Sequence, residues 1–385
     1  MRATIPHASP GWLDTVQAWR DRLVASPRFR RWAAAFPLTR PVARRRTRAL
    51  FDLCAGFVYS QVLQACVQLH LFDILAAGPM TAAQLAARLS LPPDGAQRLL
   101  LAAASLRLLR RQGDRFGLGP LGAAMVGNAA VSAMVLHHRA LYADLNDPVA
   151  LLRGQAPETA LSRYWAYSGN DSAASLADGQ TAAYTALMAA SQPLVADEIL
   201  SAYRIGRHRC LLDVGGGDGS FLQMAAARAP GLRVMVFDLP PVAEQARVRL
   251  TAAGLTGRFL VAGGSFLHDP LPRGADVASL VRIIHDHDDP AALLILRAVH
   301  RALPPGGTLL LAEPFAATPG AEPIGDAYFG FYLMAMGRGR ARTEAELFAL
   351  VRAAGFTRPR RIATHTPLLV SIIAAHRATG PVNDD

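Results

Sequence analysis

Four glycines within five positions, Gly215-Gly-Gly-Asp-Gly219, constrain this chain more than any other stretch. The apolar run Cys210-Leu-Leu and Asp213 precede them, and Phe221-Leu-Gln-Met-Ala-Ala-Ala-Arg228, rich in good helix formers, follows. That order reads as strand, tight loop and helix N-terminus. Glycine permits positive φ and close backbone approach, and a helix start offers unpaired N–H groups to a ligand. Any α/β protein can carry a glycine-rich turn, so the surroundings decide its meaning. After Tyr203, strand and helix patterns alternate: Cys210–Val214, Phe221–Arg228, Arg233–Asp238, Val242–Ala253, Arg258–Ala262, Asp276–Ile284, Ala291–Leu303 and Thr308–Glu313. Such alternation predicts a parallel, doubly wound sheet, and the stretch from Phe356 to His376 can add a final antiparallel pair.

A chain of 385 residues can hold two domains, and 51% hydrophobic residues can fill their cores. The expected division is an arm over 1–48, a mainly helical domain over 49–200 and an α/β domain over 201–385. In the arm, Trp12, Val16, Trp19 and Leu23 recur at helical spacing, arginines are interspersed, and Arg44-Arg-Arg-Thr-Arg48 closes it. Indoles and arginines so arranged suit the interface of an anionic membrane; packing on the same domain or on a dimer partner fits equally well. From Ala49 to about Ala76 the chain is apolar at helical spacing. Thr81 is a candidate N-cap for the next helix, and Asp94 for a second one from Gly95 to about Leu109. Arg110–Gly119 reads as a hairpin. Helix, turn, helix and wing make a winged-helix pattern, but its second helix is mostly aliphatic and carries little to read base edges. Nucleic acid is therefore not an expected partner. Residues 120–200 look helical, with breaks at Asn146-Asp-Pro148 and Gly169-Asn-Asp171.

All 40 basic residues are Arg, and the net charge of +11 suits nucleic acid, an anionic membrane or plain solubility without choosing among them. Cys54, Cys66 and Cys210 sit in apolar runs without metal-ligand spacing, which points to buried thiols in a reducing compartment. No signal-peptide pattern is present and no uninterrupted apolar run approaches about 20 residues. A soluble protein, peripheral on a membrane at most, is expected.

Four features line up at the carboxyl edge of the predicted sheet, where open α/β folds bind ligands. They are the glycine loop, Asp238 at the end of the second strand, Ala262-Gly-Gly-Ser-Phe266 after the third, and His285-Asp-His-Asp-Asp289 after the fourth. A carboxylate at Asp238 can accept both hydroxyls of a ribose, or cap the helix that opens at Pro240. Phe266 could contact an adenine. A dinucleotide is the obvious rival ligand, but the third glycine of G-x-G-x-x-G falls on Ser220. Asp213, just before the loop, fits a ligand bearing an ammonium group, and Asp213 with Asp238 together favour S-adenosylmethionine. The histidine cluster could bind a metal, yet nothing else supplies a partner triad, so no metal is expected.

Leu211–Gly219, Asp238, His285-Asp286 and Glu313 in Leu311-Ala-Glu-Pro314 resemble the class I S-adenosylmethionine-dependent O-methyltransferases of the plant caffeic-acid type. Leu50–Val62, His137-His138, Asp144–Val149 and Tyr328–Met336 are similar to the acyclic-carotenoid hydroxyl O-methyltransferases of purple photosynthetic bacteria. The resemblance runs over nearly the whole chain. It implies a winged-helix-like dimerisation domain before a Rossmann-like methyltransferase domain, and a homodimer in the cytoplasm, peripheral on the inner photosynthetic membrane at most. It also implies a lipophilic hydroxycarotenoid as acceptor, methylated at its tertiary 1-hydroxyl; a phenol, polyketide or tetrapyrrole is the alternative acceptor. The remote alternative function, from the winged-helix pattern, is a DNA-binding regulator. The candidate cofactor residues are Asp213, Gly215, Gly217, Gly219, Asp238, Leu239, Gly264, Ser265, Phe266 and Arg282. His285 would be the general base, with Glu313 and Asp286 as carboxylate support. The family's second supporting acid falls on Ala341 in Arg340-Ala-Arg-Thr343, so this chain departs from the pattern there. Met134, His138, Phe331 and Met334 are candidate walls of an apolar, adaptable acceptor tunnel.

Overall fold

A computed structural model describes residues 12–164, 192–367 and 369–380. Its packing divides between Ala123 and Ala124 into two units. The first unit runs through helices α1 (Trp12–Ala25), α2 (Pro27–Ala35), α3 (Arg40–Gln68) and α4 (Leu71–Ala76), then strand β1 (Met80–Thr81), α5 (Ala82–Arg88) and α6 (Pro93–Ser105). The hairpin β2 (Leu109–Gln112) and β3 (Arg115–Leu118) and a short α7 (Pro120–Ala123) complete it, and β1 joins the hairpin as a three-stranded sheet in the order β1-β3-β2. Thr81 and Gln84 form a reciprocal capping box at α5, as Thr81 promised. Asp94 does not cap α6. That helix starts earlier, with Pro93 in its first turn and Pro92 in the cap position, because proline's fixed φ pre-organises a helix start. His70, at φ 52°, breaks the periodic run Ala49–Ala76 into α3 and α4. Residue 48 lies inside α3, so the arginine-rich arm continues into the following apolar segment without a joint. By length and mean hydropathy α3 is the one helix among the described residues able to cross a membrane. Asp52, Gln61 and Gln64 interrupt it, and Gln64, Cys66 and Val67 near its end are buried.

The second unit opens with α8 (Ala129–Asp144), α9 (Pro148–Leu152), α10 (Ala160–Tyr164) and α11 (192–202). The predicted break at Gly169–Asp171 lies outside the described residues. The alternation then runs β4 (Cys210–Val214), α12 (Ser220–Arg228), β5 (Arg233–Asp238), α13 (Pro240–Ala252), β6 (Phe259–Gly263), β7 (Val277–Val281), α14 (Asp289–Ala302) and β8 (Thr308–Glu313). A π-helical stretch (Pro323–Phe329) leads into α15 (Gly330–Met336), followed by α16 (Glu344–Ala353), β9 (Phe356–Ile362) and β10 (Ser371–Arg377). The sheet order is β6-β5-β4-β7-β8-β10-β9; β6 through β8 pair in parallel, and β10 enters antiparallel between β8 and β9. β4, β7 and β8 are buried along their whole lengths, which is why they read as continuous apolar runs rather than alternating ones. One face packs on α14 and α16 through Ile295, Leu296, Val299 and Leu347; the other packs on α11, α12 and α13 through Ile199, Phe221 and Leu250. α8, α9 and α10 belong to this unit, whereas the sequence expectation placed the boundary at residue 200. Leu141 of α8 and Leu151 of α9 share a buried cluster with Leu161 and with Leu333 of α15.

Candidate active site

The reversal point of the sheet, between β4 and β7, leaves the carboxyl ends of β4, β5, β7 and β8 facing one crevice. The glycine loop rises from β4 with Gly215, Gly217 and Gly219 all at positive φ, and Gly219 is the N-cap of α12. A Cβ on Gly216 would stand 2.8 Å from both Asp213 Oδ2 and Val236 Cγ2, so the loop sits directly over the strand-end acid. Asp213 is 1% exposed. Its Oδ1 accepts from Ser279 Oγ at 2.6 Å, and its Oδ2 is buried with no hydrogen-bond partner among the described residues. Burial, with some repulsion from Asp238 and against the help of Ser279, pushes the carboxyl up to about 7.

Asp238 ends β5 and spans two backbone donors: Oδ2 accepts from Gly217 N–H at 2.8 Å and Oδ1 from Leu239 N–H at 2.7 Å. It does not cap α13, whose N-cap is Leu239. Asp238 thereby ties the loop of one strand to the end of the next. Gly264 must be glycine, since a Cβ there would meet Phe237 Cζ at 2.7 Å. Ser265 N–H donates to Asp269 at 2.8 Å, and Phe266 meets His287 edge-on at 5.4 Å and lies 3.6 Å from the position of a Gly215 Cβ. Arg282, at φ 57°, carries the chain off β7 while its N–H still pairs with Ala312 of β8. These residues, named from sequence, do converge.

A single 3-10 turn, Ile284–Asp286, follows. Within it His285 is buried between two carboxylates: Nε2 lies 3.1 Å from Asp286 Oδ1, and Nδ1 lies 3.5 Å from Glu313 Oε2. Glu313 closes β8, is fully buried, and also accepts from the His285 backbone N–H at 3.1 Å. Burial alone would lower the imidazole, but Asp286 and Glu313 outweigh it and push His285 up to about 10. The same pairing holds Asp286 low against the pull of its own burial. His287 does not share this pocket chemistry. Burial lowers it to about 4, and it rests against Phe266 rather than converging with His285.

The ring of Phe329 meets that of His285 edge-on at 5.8 Å between centroids, and Tyr328 meets Phe329 edge-on at 5.0 Å. Behind them two histidines of α8 pair with two tyrosines: His138 Nε2 with Tyr328 Oη and His137 Nε2 with Tyr332 Oη, both at 2.7 Å. Burial lowers both imidazoles, His137 to about 4, so at neutral pH each is an uncharged partner for its phenol. Met134 lies 3.8 Å from Tyr328 Oη and joins His138 there. Phe331 is half-buried, and Met334 turns to solvent, away from the buried face of α15 formed by Tyr332, Leu333, Ala335 and Met336. Sequence reasoning missed Ser279 and Arg342, which the fold brings to this site from distant positions; Tyr328 and Phe329 belong to the stretch Tyr328–Met336 that the sequence singled out as a whole. Only the Arg-Thr flanking Ala341 could have flagged Arg342.

Residues 142–357 match the family pattern of an O-methyltransferase domain, and residues 51–137 that of an O-methyltransferase dimerisation domain. The demethylspheroidene O-methyltransferase of Cereibacter sphaeroides is 44% identical over 359 residues, covering 92% of this chain and 94% of that relative. Its namesake in Rhodobacter capsulatus is 40% identical, covering 92% and 88%. The acetylserotonin O-methyltransferase of Mus musculus is 36% identical, covering 81% and 84%. Among solved structures, CalO1, a methyltransferase in calicheamicin biosynthesis in its SAH-bound form, is similar with a TM-score of 0.72 at 27% identity, covering 87% of this chain and 98% of that one.

Proposed function

Because the chain belongs to the S-adenosylmethionine-dependent O-methyltransferases, we propose that it methylates the tertiary 1-hydroxyl of an acyclic hydroxycarotenoid, with His285 as general base. The relatives named for demethylspheroidene, alike over nine-tenths of the chain, support the acceptor. The buried imidazole between Asp286 and Glu313, beside a glycine loop with an unpartnered carboxylate oxygen, carries the chemistry.

The residues present fit the cofactor. Asp213 Oδ2, buried and unpaired, suits a cationic ligand; Gly215, Gly217 and Gly219 let the backbone approach, and Asp238 and Leu239 stand at the end of β5 where a ribose would be held. Gly264, Ser265, Phe266 and Arg282 complete the cradle. When bound, S-adenosylmethionine supplies an electrophilic methyl group on its sulfonium. The protein's share is then positioning and proton removal. A tertiary alcohol is a very weak acid, so its proton must leave to His285 Nε2 as the new C–O bond forms. Glu313, with Oε2 3.5 Å from Nδ1, stabilises by its charge the imidazolium that results. A base must first be neutral. Asp286 holds His285 protonated as the site stands, and cationic charge entering the pocket, or withdrawal of Asp286 from Nε2, lowers the imidazole into its working range. Phe329, Tyr328, His138 and Met134 supply an apolar wall with a few polar points, as a long polyene end requires.

The dimerisation-domain match supports a homodimer. A cytoplasmic enzyme touching the membrane through its arm is in keeping with a lipophilic acceptor. Ten arginines against Asp14 and Asp21 occupy residues 12–48, and Trp12, Trp19 and Trp32 are more than half exposed. α1 buries no residue, and a helix of its 14 residues is marginal without a surface to lie on. Flotation with anionic vesicles tests this: Trp12→Ser with Trp19→Ser should lose binding, and equal partitioning would discard the membrane contact.

Incubation with labelled S-adenosylmethionine and a panel of hydroxycarotenoids, phenols and bacteriochlorophyllides tests the acceptor. Label in a carotenoid methyl ether supports the reading; label confined to another class replaces it. His285→Ala should bind cofactor normally and lose turnover, and wild-type turnover there would remove the base.

A further inference from the structure

The loop between α15 and α16 (337–343) is laid across the histidine turn, and three of the four carbonyls from Ile284 to His287 are held by it. Arg342 donates from Nη1 to Ile284 O at 2.8 Å and from Nη2 to His287 O at 2.7 Å. Arg340 N–H donates to His285 O at 2.9 Å. Gly339 N–H reaches Asp288 Oδ1 at 3.1 Å, and Arg342 Nε reaches Asp289 Oδ1 at 2.8 Å. Arg342 is fully buried, although arginine almost never is unless paired. Gly339, at φ 76°, lets the loop lie this close: a Cβ there would stand 2.2 Å from His285 O. Ala341, between the two arginines, offers the imidazole no carboxylate of its own.

We infer that Arg342 is a positioning residue that sets the place of His285 by holding the carbonyls on either side of it, and that this backbone clamp does the work a second carboxylate at position 341 would do through the ring. The inference rests on His285 being the base. A planar guanidinium with fixed fork geometry suits the task, because it reaches two carbonyls and an acid at once from one rigid plane. Lysine keeps the charge but offers a single point. The arrangement has a cost: a buried cation balanced by Asp289, itself half exposed, is tolerated only where the geometry it holds matters.

The alternative is that Arg342 merely anchors the start of α14 through Asp289. The two separate in a double-mutant cycle. If Arg342 acts through His285, Arg342→Lys lowers kcat by roughly 10- to 100-fold, the size expected when a reacting group is displaced by about 1 Å. The cofactor Kd should stay within about twofold, and the acid limb of the kcat–pH profile should move. In a His285→Ala background the same change should leave the residual rate within about twofold. Gly339→Ala, which pushes the loop off His285 O without touching a charge, should give the same signature and stands in if Arg342→Lys folds poorly. Wild-type kcat in Arg342→Lys, or an equal fall in both backgrounds, would overturn the inference. Wild-type turnover in His285→Ala alone is a separate failure, that of the base assignment.

Discussion

Two buried groups carry most of the chemistry, and each titrates in a direction that can be checked. Asp213 is raised from 3.8 to about 7, a difference equivalent to on the order of 4 kcal/mol at most. A carboxyl raised on folding contributes stability that is fully present below the unfolded value and lost as pH rises through the folded one. Ligand-free Asp213→Asn should therefore match the wild type near pH 4, gain on it from there to about pH 7 and hold a constant advantage above. Thermal unfolding across pH measures this, and an asparagine variant no more stable at pH 8 would contradict the burial argument. The same substitution should weaken cofactor binding above pH 7, where the wild-type carboxylate is charged. His285 is likewise raised, to about 10, chiefly by Asp286 against its own burial. Imidazole NMR of the ligand-free protein should show it protonated at pH 7, and Asp286→Asn should bring its titration down. Asp213, Asp238, His285 and Glu313 were all legible in the sequence, because each lies at or just beyond the carboxyl end of an apolar strand and chain order alone stacks strand ends on one edge. Ser279, 66 positions from Asp213, and Arg342, 58 from Ile284, were not. Their partners are set by the pairing of β4 with β7 and by a loop crossing that no local pattern encodes.

At the level of elements, β4, β5 and β8 were read residue for residue, whereas β6 is shifted by one position and β7 stops at Val281, three residues short of the expected Ile284. β4, β5 and β8 end where Val214, Asp238 and Glu313 predicted, since a strand buried on both faces must be apolar throughout and a buried acid can follow only at its end. Helix starts were read less well. α13 and α14 begin two residues before the first apolar position, at prolines and acids that belong to the first turn. The helices before residue 200 were legible as helices but not as members of a unit, because what assigns α8 to the second one is the pairing of His137 and His138 with tyrosines nearly two hundred positions away. The glycine loop gives the sharpest test at this scale. Gly216 has an ordinary φ, so Gly216→Ala adds only a methyl, placed 2.8 Å from Asp213 Oδ2 and Val236 Cγ2. The loop must lift, and the cofactor Kd should rise by roughly 10-fold or more while melting of the ligand-free protein changes little, as backbone displacement at a preorganised site predicts. Unchanged affinity would mean the loop does not contact the cofactor.

For the molecule as a whole, a large unsatisfied feature among the described residues is the apolar face of α3. Leu50, Leu53 and Phe57, at spacings of three and four, are each more than 60% exposed, and Phe51 and Val58 extend the patch. Residues 51–137 match an O-methyltransferase dimerisation domain, and a face of this kind within that match is the surface we propose two copies bury on association. Self-association is electrostatically open along 49–68, which carries the single charge of Asp52, and is opposed along 12–48, where two arginine arrays would face each other. The dimer should therefore be held by the apolar half of α3 and not by its arginine-rich start. Leu53→Arg with Phe57→Arg puts two like charges on each copy of that face, and sedimentation equilibrium should find the variant monomeric at concentrations where the wild type is dimeric. Arg44→Gln with Arg46→Gln should leave the dimer intact, or tighten it at low salt as repulsion is removed. If the arginine variant remains dimeric, the contact lies elsewhere in 51–137. If the glutamine variant dissociates, the arm itself is part of the interface, and its tryptophans are then committed to a second copy of the chain in place of a membrane.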